Sequence, residues 1–252
     1  LRDAPARRGE AAGIEQAEGG WRIRYALPAD PPLVSIVVPT RDRVELLRRC
    51  VDGLRSRTDY ARWEAVIVDN DSAEEASVKY FEQTPHRLVR VPGPFNFSAI
   101  NNAGAREARG EYLLFLNNDT EVVAPEWLYA MLEWAQLPDI GCVGAKLLFA
   151  DGRIQHAGVT LHDGSAFHPR YGQRTTDKTW VESEIVRNFS AVTAACLLLR
   201  RSIFEEVGGF DESFPVAYND VVLCVRVMQK GYRNLFTPYA VLYHHESSSR
   251  PP

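Results

Sequence analysis

At 252 residues the chain suits one large domain or two small ones, and its 45% hydrophobic and 25% charged residues are an ordinary globular balance. A net charge of -4 argues against a general nucleic-acid binder, and no apolar run approaches the roughly 20 residues that span a bilayer. No secretory signal is visible, and Cys50, Cys142, Cys196 and Cys224 are too scattered for a zinc site or disulfide framework, so reduced thiols in a cytosolic protein are expected.

The chain starts at Leu1 and stops at Pro251-Pro252, just after a dense polar motif, which suggests a domain of a longer protein. Residues 1–31 are polar and read as a linker or N-terminal arm, with WRIRYAL (Trp21 to Leu27) as one edge strand. LVSIVV (Leu33 to Val38) is a nearly continuous apolar run, the mark of a parallel strand covered on both faces. Asp42 and Glu45 have capping-box spacing, and Val44, Leu47, Val51 and Leu54 then recur at helical spacing. WEAVIVD (Trp63 to Asp69) predicts a second buried strand, followed by a polar helix over about 73–83 and a third strand, RLVRV (Arg87 to Val91). Ser98 is placed to cap a helix running to Arg109, with Gly110 as its stop. YLLFL (Tyr112 to Leu116) is the fourth strand. A helix follows with Pro125 in its first turn and an apolar face of Leu128, Met131, Leu132 and Ala135.

After about residue 138 the rhythm changes. IGCVGAKLLF and IQHAGVTL read as strands joined by a turn at Asp151-Gly152, and Asp163 to Glu184 reads as a polar loop expected to close over a ligand. TAACLLLRRSIFEEVGGF predicts a strand, a short helix and a Gly-Gly stop. A helix from Asp220 to Gln229 and a last strand, YAVLYHH, complete the chain.

Four strand–helix alternations predict an α/β fold with a mostly parallel central sheet flanked by helices. In such sheets ligands bind beyond the carboxyl ends of the strands. The residues there are Pro39-Thr40-Arg41-Asp42, Asp69-Asn70-Asp71-Ser72 and Asn117-Asn118-Asp119. An ionised carboxylate such as Asp119 is costly to bury unless paired or metal-bound. Asp119 and a late histidine form a hard-donor set for Mg²⁺ or Mn²⁺, with a bound diphosphate supplying further oxygens. Asp69 can accept hydrogen bonds from a base or ribose. Asp220, at a helix start, is either a general base or simply an N-cap. There is no GxGxxG, GxxxxGK[ST], GxSxG or HExxH.

The motifs VSIVVPTRDR, AVIVDNDS, FNFSAINNAGAREARGEYLLFLNNDTEV, GAKLLFADGRIQHAGV, VGGFDESF, YNDVVLCVRVMQKGYR and YHHESSSR resemble, in that order, the family 2 glycosyltransferases of GT-A fold. The resemblance covers residues 20 to 250 and is nearest to the bacterial O-antigen, rhamnosyltransferase-like branch. It implies an inverting transfer from a nucleoside-diphosphate sugar to a hydroxyl of a glycan or lipid-linked glycan, assisted by Mn²⁺ or Mg²⁺. The site is then cytoplasmic or peripheral at the inner membrane face, with residues 32–137 binding nucleotide and 138–250 binding acceptor. By position, Pro39, Thr40 and Arg41 border the nucleotide, and Asp69 and Asn70 touch base or ribose. Asn96, Ser98, Asn101 and Asn102 meet ribose and phosphate oxygens. Asn117 and Asn118 are donor-binding residues that precede Asp119, the metal ligand; Asn117 replaces the family's first Asp with a neutral amide. Asp220 is the base, with Asn219 where the family carries Glu, and His244 is the late histidine near metal and diphosphate.

Two departures stand out: Val222 where a second Asp is expected, and Ala194 where Gly is usual. They motivate the rival reading of a non-catalytic nucleotide-sugar or glycan-binding domain that kept the fold. A sugar-1-phosphate nucleotidyltransferase is disfavoured by the lack of a Gly-rich basic loop near the N-terminus. His156 reads as a structural histidine. His168 and Trp180, in the polar loop, are given no role.

Overall fold

The computed structural model describes residues 12–17, 20–175 and 183–245. Trp180 and the end of the YHHESSSR motif lie outside these.

Alternate residues of a strand face opposite ways, and here both faces are covered. The first strand of the main sheet, β3 (Val34–Thr40), sends Val34, Ile36 and Val38 into one apolar cluster and Val37 into another. Helices α1 (Val44–Arg57) and α4 (Trp127–Ala135) close the first cluster. Helices α3 (Phe97–Glu107), α5 (Arg201–Glu206) and α6 (Asn219–Gln229) close the second. Strand β6 (Tyr112–Leu116) divides likewise, Leu114 and Leu116 against Leu113 and Phe115, and none of its residues is exposed. That two-sided burial explains the unbroken apolar runs of the sequence.

The other strands of the sheet are β4 (Trp63–Asp69), β5 (Arg87–Arg90), β7 (Thr120–Val122), β8 (Ile140–Leu148), β9 (Ile154–His156), β12 (Arg187–Phe189), β13 (Cys196–Arg200) and β14 (Arg233–His244). Helix α2 (Glu75–Gln83) follows β4. The order is β12-β14-β8-β13-β6-β3-β4-β5, with β7 on β14 and β9 on β8. Along this path β14–β8, β6–β3, β3–β4 and β4–β5 are parallel and the other three pairs antiparallel. Strand β13 sits between β6 and β8, so the two halves of the chain share one sheet.

Several local expectations change. The arm folds as a hairpin of β1 (Ala12–Ala17) and β2 (Gly20–Tyr25), a separate two-stranded sheet rather than an edge of the main one. It is pinned to α4 by Arg22 and Arg24, which reach the buried carboxylate of Glu133 at 3.4 and 2.8 Å. The polar loop begins inside a second hairpin, in which β11 (Ser165–Phe167) from the loop pairs with β10 (Thr160–His162) just before it; residues 176–182 lie outside the described ones. The capping box at α1 does not form. Arg43 takes the cap position with no side-chain cap bond, and Asp42 Oδ1 instead accepts from Ala73 N (2.7 Å) and Glu74 N (2.8 Å), ahead of α2. Asn96, not Ser98, caps α3, its side chain accepting from Ala99 N at 3.0 Å. Helix α3 ends before Gly110. That glycine is needed for close approach: a Cβ there would lie 2.6 Å from Leu33 O.

Candidate active site

Three parallel strands, β3, β4 and β6, end along one edge of the sheet, and a cleft of about 720 Å³ opens there. The structure brings Pro39, Thr40, Arg41, Asn70, Asn117, Asn118, Asp119, Asp220 and His244 to this cleft. They come from five places in the chain. Asn118 Nδ2 donates to Thr40 Oγ1 at 3.0 Å and Asn70 N donates to Thr40 O at 2.9 Å, which ties the three strand ends together. Asn70 Nδ2 donates to Val91 O and Gly93 O, while its Oδ1 is buried without a hydrogen-bond partner. Arg41 is exposed on the cleft. Among the described residues, four of the six non-glycine residues at positive φ lie on or beside this edge: Asp42, Arg43, Asp71 and Tyr218. Such sparsely populated backbone persists where the surroundings over-determine it, often at functional sites.

Five sequence candidates do not line the cleft. Asp69 is buried, its Oδ1 accepting from Ser72 N (3.0 Å) and its Oδ2 lying 3.3 Å from Arg90 Nη1. The side chains of Asn96, Ser98 and Asn102 are bonded to the segment 210–215, and Asn101 Nδ2 donates back to Phe97 O. The amides of Asn96 and Asn102 and the hydroxyl of Ser98, expected to meet ribose and phosphate oxygens, are committed within the protein, whereas Asn101 Oδ1 is buried without a hydrogen-bond partner. Asp42, named at the strand ends in the sequence, also lines the cleft, and the sequence reading missed Arg43, Glu74, Phe95, Phe97 and Val216 there. Position after β3 was a usable signal for Arg43; nothing local marked the others.

Asp119 and His244 meet although 125 positions separate them in the chain, because β14 pairs with β7 and sets His244 opposite Thr120. Two contacts orient the imidazole. Nδ1 donates to Gln155 Oε1 at 2.5 Å, and Gln155 Nε2 donates to His244 O at 3.3 Å. An amide oxygen only accepts, so Nδ1 carries a proton, and in the neutral ring Nε2 then presents its lone pair. Asn117 Nδ2 lies 3.1 Å from that Nε2 and can donate to it. Asp119 Oδ1, buried and without a hydrogen bond, stands 3.2 Å from the same atom. Two electron-rich atoms facing each other at that distance call for positive charge between them. A carboxylate oxygen and an imidazole nitrogen with a fixed tautomer fit a divalent cation. No cluster of three His, Cys, Asp or Glu side chains that could hold a metal occurs among the described residues.

Asp220 lines the cleft from the second half of the chain. It is not the helix cap: Tyr218, at φ +61°, holds that position, and Asp220 lies in the first turn of α6. Its Oδ2 accepts from Ala194 N at 3.1 Å and its Oδ1 from Val221 N at 2.8 Å, while Asn219 Oδ1 accepts from Asp220 N at 2.8 Å. The carboxylate is therefore aimed by backbone donors, one of them at the position where the resemblance led to an expectation of Gly. All four cysteines are free and buried. Cys50, packed behind Asn117 and Thr120, is pushed by burial up to about 12, so it is no nucleophile here. His156 is buried among backbone donors, as expected of a structural histidine.

Comparison with known proteins shows the family and the fold. The sequence profile of glycosyl transferase family 2 matches residues 35–208. The uncharacterised protein y4gI of Sinorhizobium fredii is 46% identical over 87% of the chain and 25% of its own length. The O-antigen biosynthesis protein RfbC of Myxococcus xanthus is 44% identical over 97% of the chain and 20% of its own length. The chain thus spans a quarter or less of these relatives. Among solved structures, GalNAc-T7 with UDP, GalNAc and Mn²⁺ superposes with a TM-score of 0.70 at 17% identity, over 91% of the chain and 46% of that protein. The shared fold is GT-A.

Proposed function

The chain belongs to glycosyl transferase family 2, and from that premise we propose that it moves a sugar from a nucleoside diphosphate to a glycan hydroxyl, inverting the anomeric carbon. One observation carries the reading: a hard-donor pair, Asp119 with His244, and a separately held carboxylate, Asp220, face the same cleft at the ligand edge of the sheet.

In this reading Pro39, Thr40, Arg41 and Asn70 border the nucleotide. Asp69 lies outside the cleft and acts through Arg90 and the 69–72 turn, not by direct contact. Asp119 and His244 would hold Mn²⁺ or Mg²⁺, which when bound offsets the charge gathering on the departing diphosphate. Gln155 holds His244 in the tautomer with its lone pair on Nε2, and a metal there would take the place of the Asn117 contact. Asp220 accepts the proton of the acceptor hydroxyl as that oxygen attacks the anomeric carbon. A new C–O bond forms on one face while the bond to the diphosphate breaks on the other, the logic of inverting glycosyl chemistry. The acceptor is proposed to be a surface-polysaccharide glycan, lipid-linked or free, as suits similarity to an O-antigen biosynthesis protein. A cytoplasmic site, peripheral at the inner face of the membrane, goes with this reading. Four buried free thiols are consistent with a reducing compartment, and among the described residues no helix is long and apolar enough to cross a membrane. Residues 32–137 would serve as the nucleotide half and the remainder of the domain as the acceptor half, with further domains in the parent chain.

A second reading, a binding domain without turnover, is favoured by the single carboxylate at the candidate metal pair, where Asn117 supplies only an amide. One experiment separates the two. UDP-, GDP- and dTDP-sugars are screened by thermal shift with Mn²⁺, and the donor that stabilises the protein is then assayed for nucleoside-diphosphate release with oligosaccharide acceptors. Stabilisation with acceptor-dependent release supports the transferase. Stabilisation without release supports the binding domain, and stabilisation by no donor removes both.

A further inference from the structure

Residues 210–218 run from α5 to α6 without helix or strand, and Glu212, Ser213 and 215–218 are exposed. Phe210 anchors the start of the stretch in the core against Phe97, Phe115 and Phe204, and the exposed part beyond it is placed by hydrogen bonds. Most of those that tie it to other elements come from α3. Asn102 Oδ1 accepts from Phe210 N at 3.0 Å, and its Nδ2 donates to Phe210 O at 2.9 Å and Glu212 Oε1 at 3.0 Å. Asn96 Nδ2 donates to Glu212 O at 2.9 Å, Ser98 Oγ to Phe214 O at 2.8 Å, and Phe97 N to Pro215 O at 2.8 Å. From the other side Arg226 Nη2 holds Asp211 Oδ2 at 2.6 Å. Gly209, at φ +72°, makes the approach possible: a Cβ there would sit 2.8 Å from Asn102 Oδ1. The segment ends in Tyr218 at φ +61°, and then come Asn219 and Asp220 in the cleft.

We propose that Asn96, Ser98 and Asn102 are positioning residues for transfer. They fasten the 210–218 segment to α3 and so fix Asp220 relative to the donor side of the cleft. The inference rests on the reading of Asp220 as the base. It gives the asparagine-rich stretch at the start of α3 a task in place of nucleotide contact: residues of the first half of the chain set the geometry at which the second half meets the acceptor. A displacement of about 1 Å in a reacting group can cost about a hundredfold in rate, so such a clamp has kinetic consequences.

The test uses Asn102→Asp and Asn96→Asp. Each keeps the accepting oxygen, including the cap to Ala99 N, and loses the donor. Transfer is read as nucleoside-diphosphate release from whichever UDP-, GDP- or dTDP-sugar the wild type accepts. The expected result is a kcat lower by about tenfold to a hundredfold, with donor KM unchanged. In an Asp220→Asn background the same changes should cost nothing further, because they act through that carboxylate. Full kcat, or a loss that adds to that of Asp220→Asn, overturns the proposal. If Asp220→Asn itself turns over at the wild-type rate, the base reading falls and this inference with it. Slow turnover by Asp220→Asn beside an unimpaired Asn102→Asp removes this inference alone. Hydrogen exchange gives a readout independent of turnover: Asn102→Asp should speed exchange of the amides of 210–219 while α1 and β3 stay protected, and unchanged exchange there overturns the clamp.

Discussion

Two asparagine-rich stretches, Asn96–Asn102 and Asn117–Asp119, flank β6 and read almost alike in the sequence. In the folded chain they differ in how their polar atoms are used. Asn102 has both ends of its amide bonded within the protein, and Asn96 and Ser98 likewise spend their donors on the 210–215 segment. At Asp119 a buried carboxylate oxygen is left without a hydrogen bond, facing an imidazole nitrogen whose tautomer is fixed from behind. Buried polar groups are normally satisfied, so those left unsatisfied are the better pointers to a ligand. Polar stretches that read alike thus serve as fastening at Asn96, Ser98 and Asn102, where the protein completes the bonds, and as a candidate site at Asp119, where it does not.

The contrast can be broken most forcefully at Asp119. Asp119→Ala should abolish Mn²⁺-dependent binding of a nucleoside diphosphate, read by titration calorimetry, while the far-ultraviolet circular dichroism stays unchanged. Undiminished metal-dependent affinity would remove the site from Asn117–Asp119. Next in size is Asp220→Asn. General-base contributions are typically about 10²–10⁴-fold, so transfer should slow at least about a hundredfold with donor affinity and melting temperature near those of wild type. Because Tyr218 and not Asp220 occupies the cap position, little stability should be lost. A normal rate would mean that the base lies elsewhere.

The histidines extend the comparison, since His156 is sealed where His244 is not. Burial, with smaller contributions from the nearby His168 and His244, holds His156 well below the usual histidine range. The unfolded chain takes up a proton near pH 6.5 that the folded chain refuses. Its contribution is therefore complete above that pH and is lost as the pH falls below it, by at most about 1.4 kcal/mol per unit. Melting curves at pH 7.5 and 5.5 should converge in His156→Gln relative to wild type; an unaltered difference between the two pH values would assign the acid sensitivity to other groups. The smallest effect is expected at Ser98. Ser98→Ala removes one hydrogen bond to Phe214 O, worth about 1 kcal/mol in urea unfolding, with nucleotide binding intact. Weakened nucleotide binding in this variant would return Ser98 to the donor pocket.

Much of the architecture was legible because it follows from short-range pattern. The unbroken apolar runs of β3, β4 and β6 predicted strands covered on both sides, and the polar residues ending them predicted the edge at which the cleft opens. The cap assignments failed for one reason: Asp42 and Ser98 have side chains that reach equally well into their own helix and across to a neighbour. Only the neighbour's position decides. Asp42 bonds ahead of α2, and Ser98 bonds to a carbonyl 116 residues away.

By itself the sequence determined the element types, the side of the sheet that carries polar strand ends, and Asp119, Asp220 and His244 as the residues to watch. Periodicity of two or 3.6 is a property of neighbouring residues, so it survives without knowledge of the fold. Tertiary structure alone decided which polar groups would be left unsatisfied. The pairing of β14 with β7 set His244 beside Asp119, and the docking of 210–218 on α3 absorbed the amides of Asn96 and Asn102. Satisfying a hydrogen bond takes a partner that is often a hundred residues away, and a local pattern carries no information about that partner until the sheet order brings it within 3 Å.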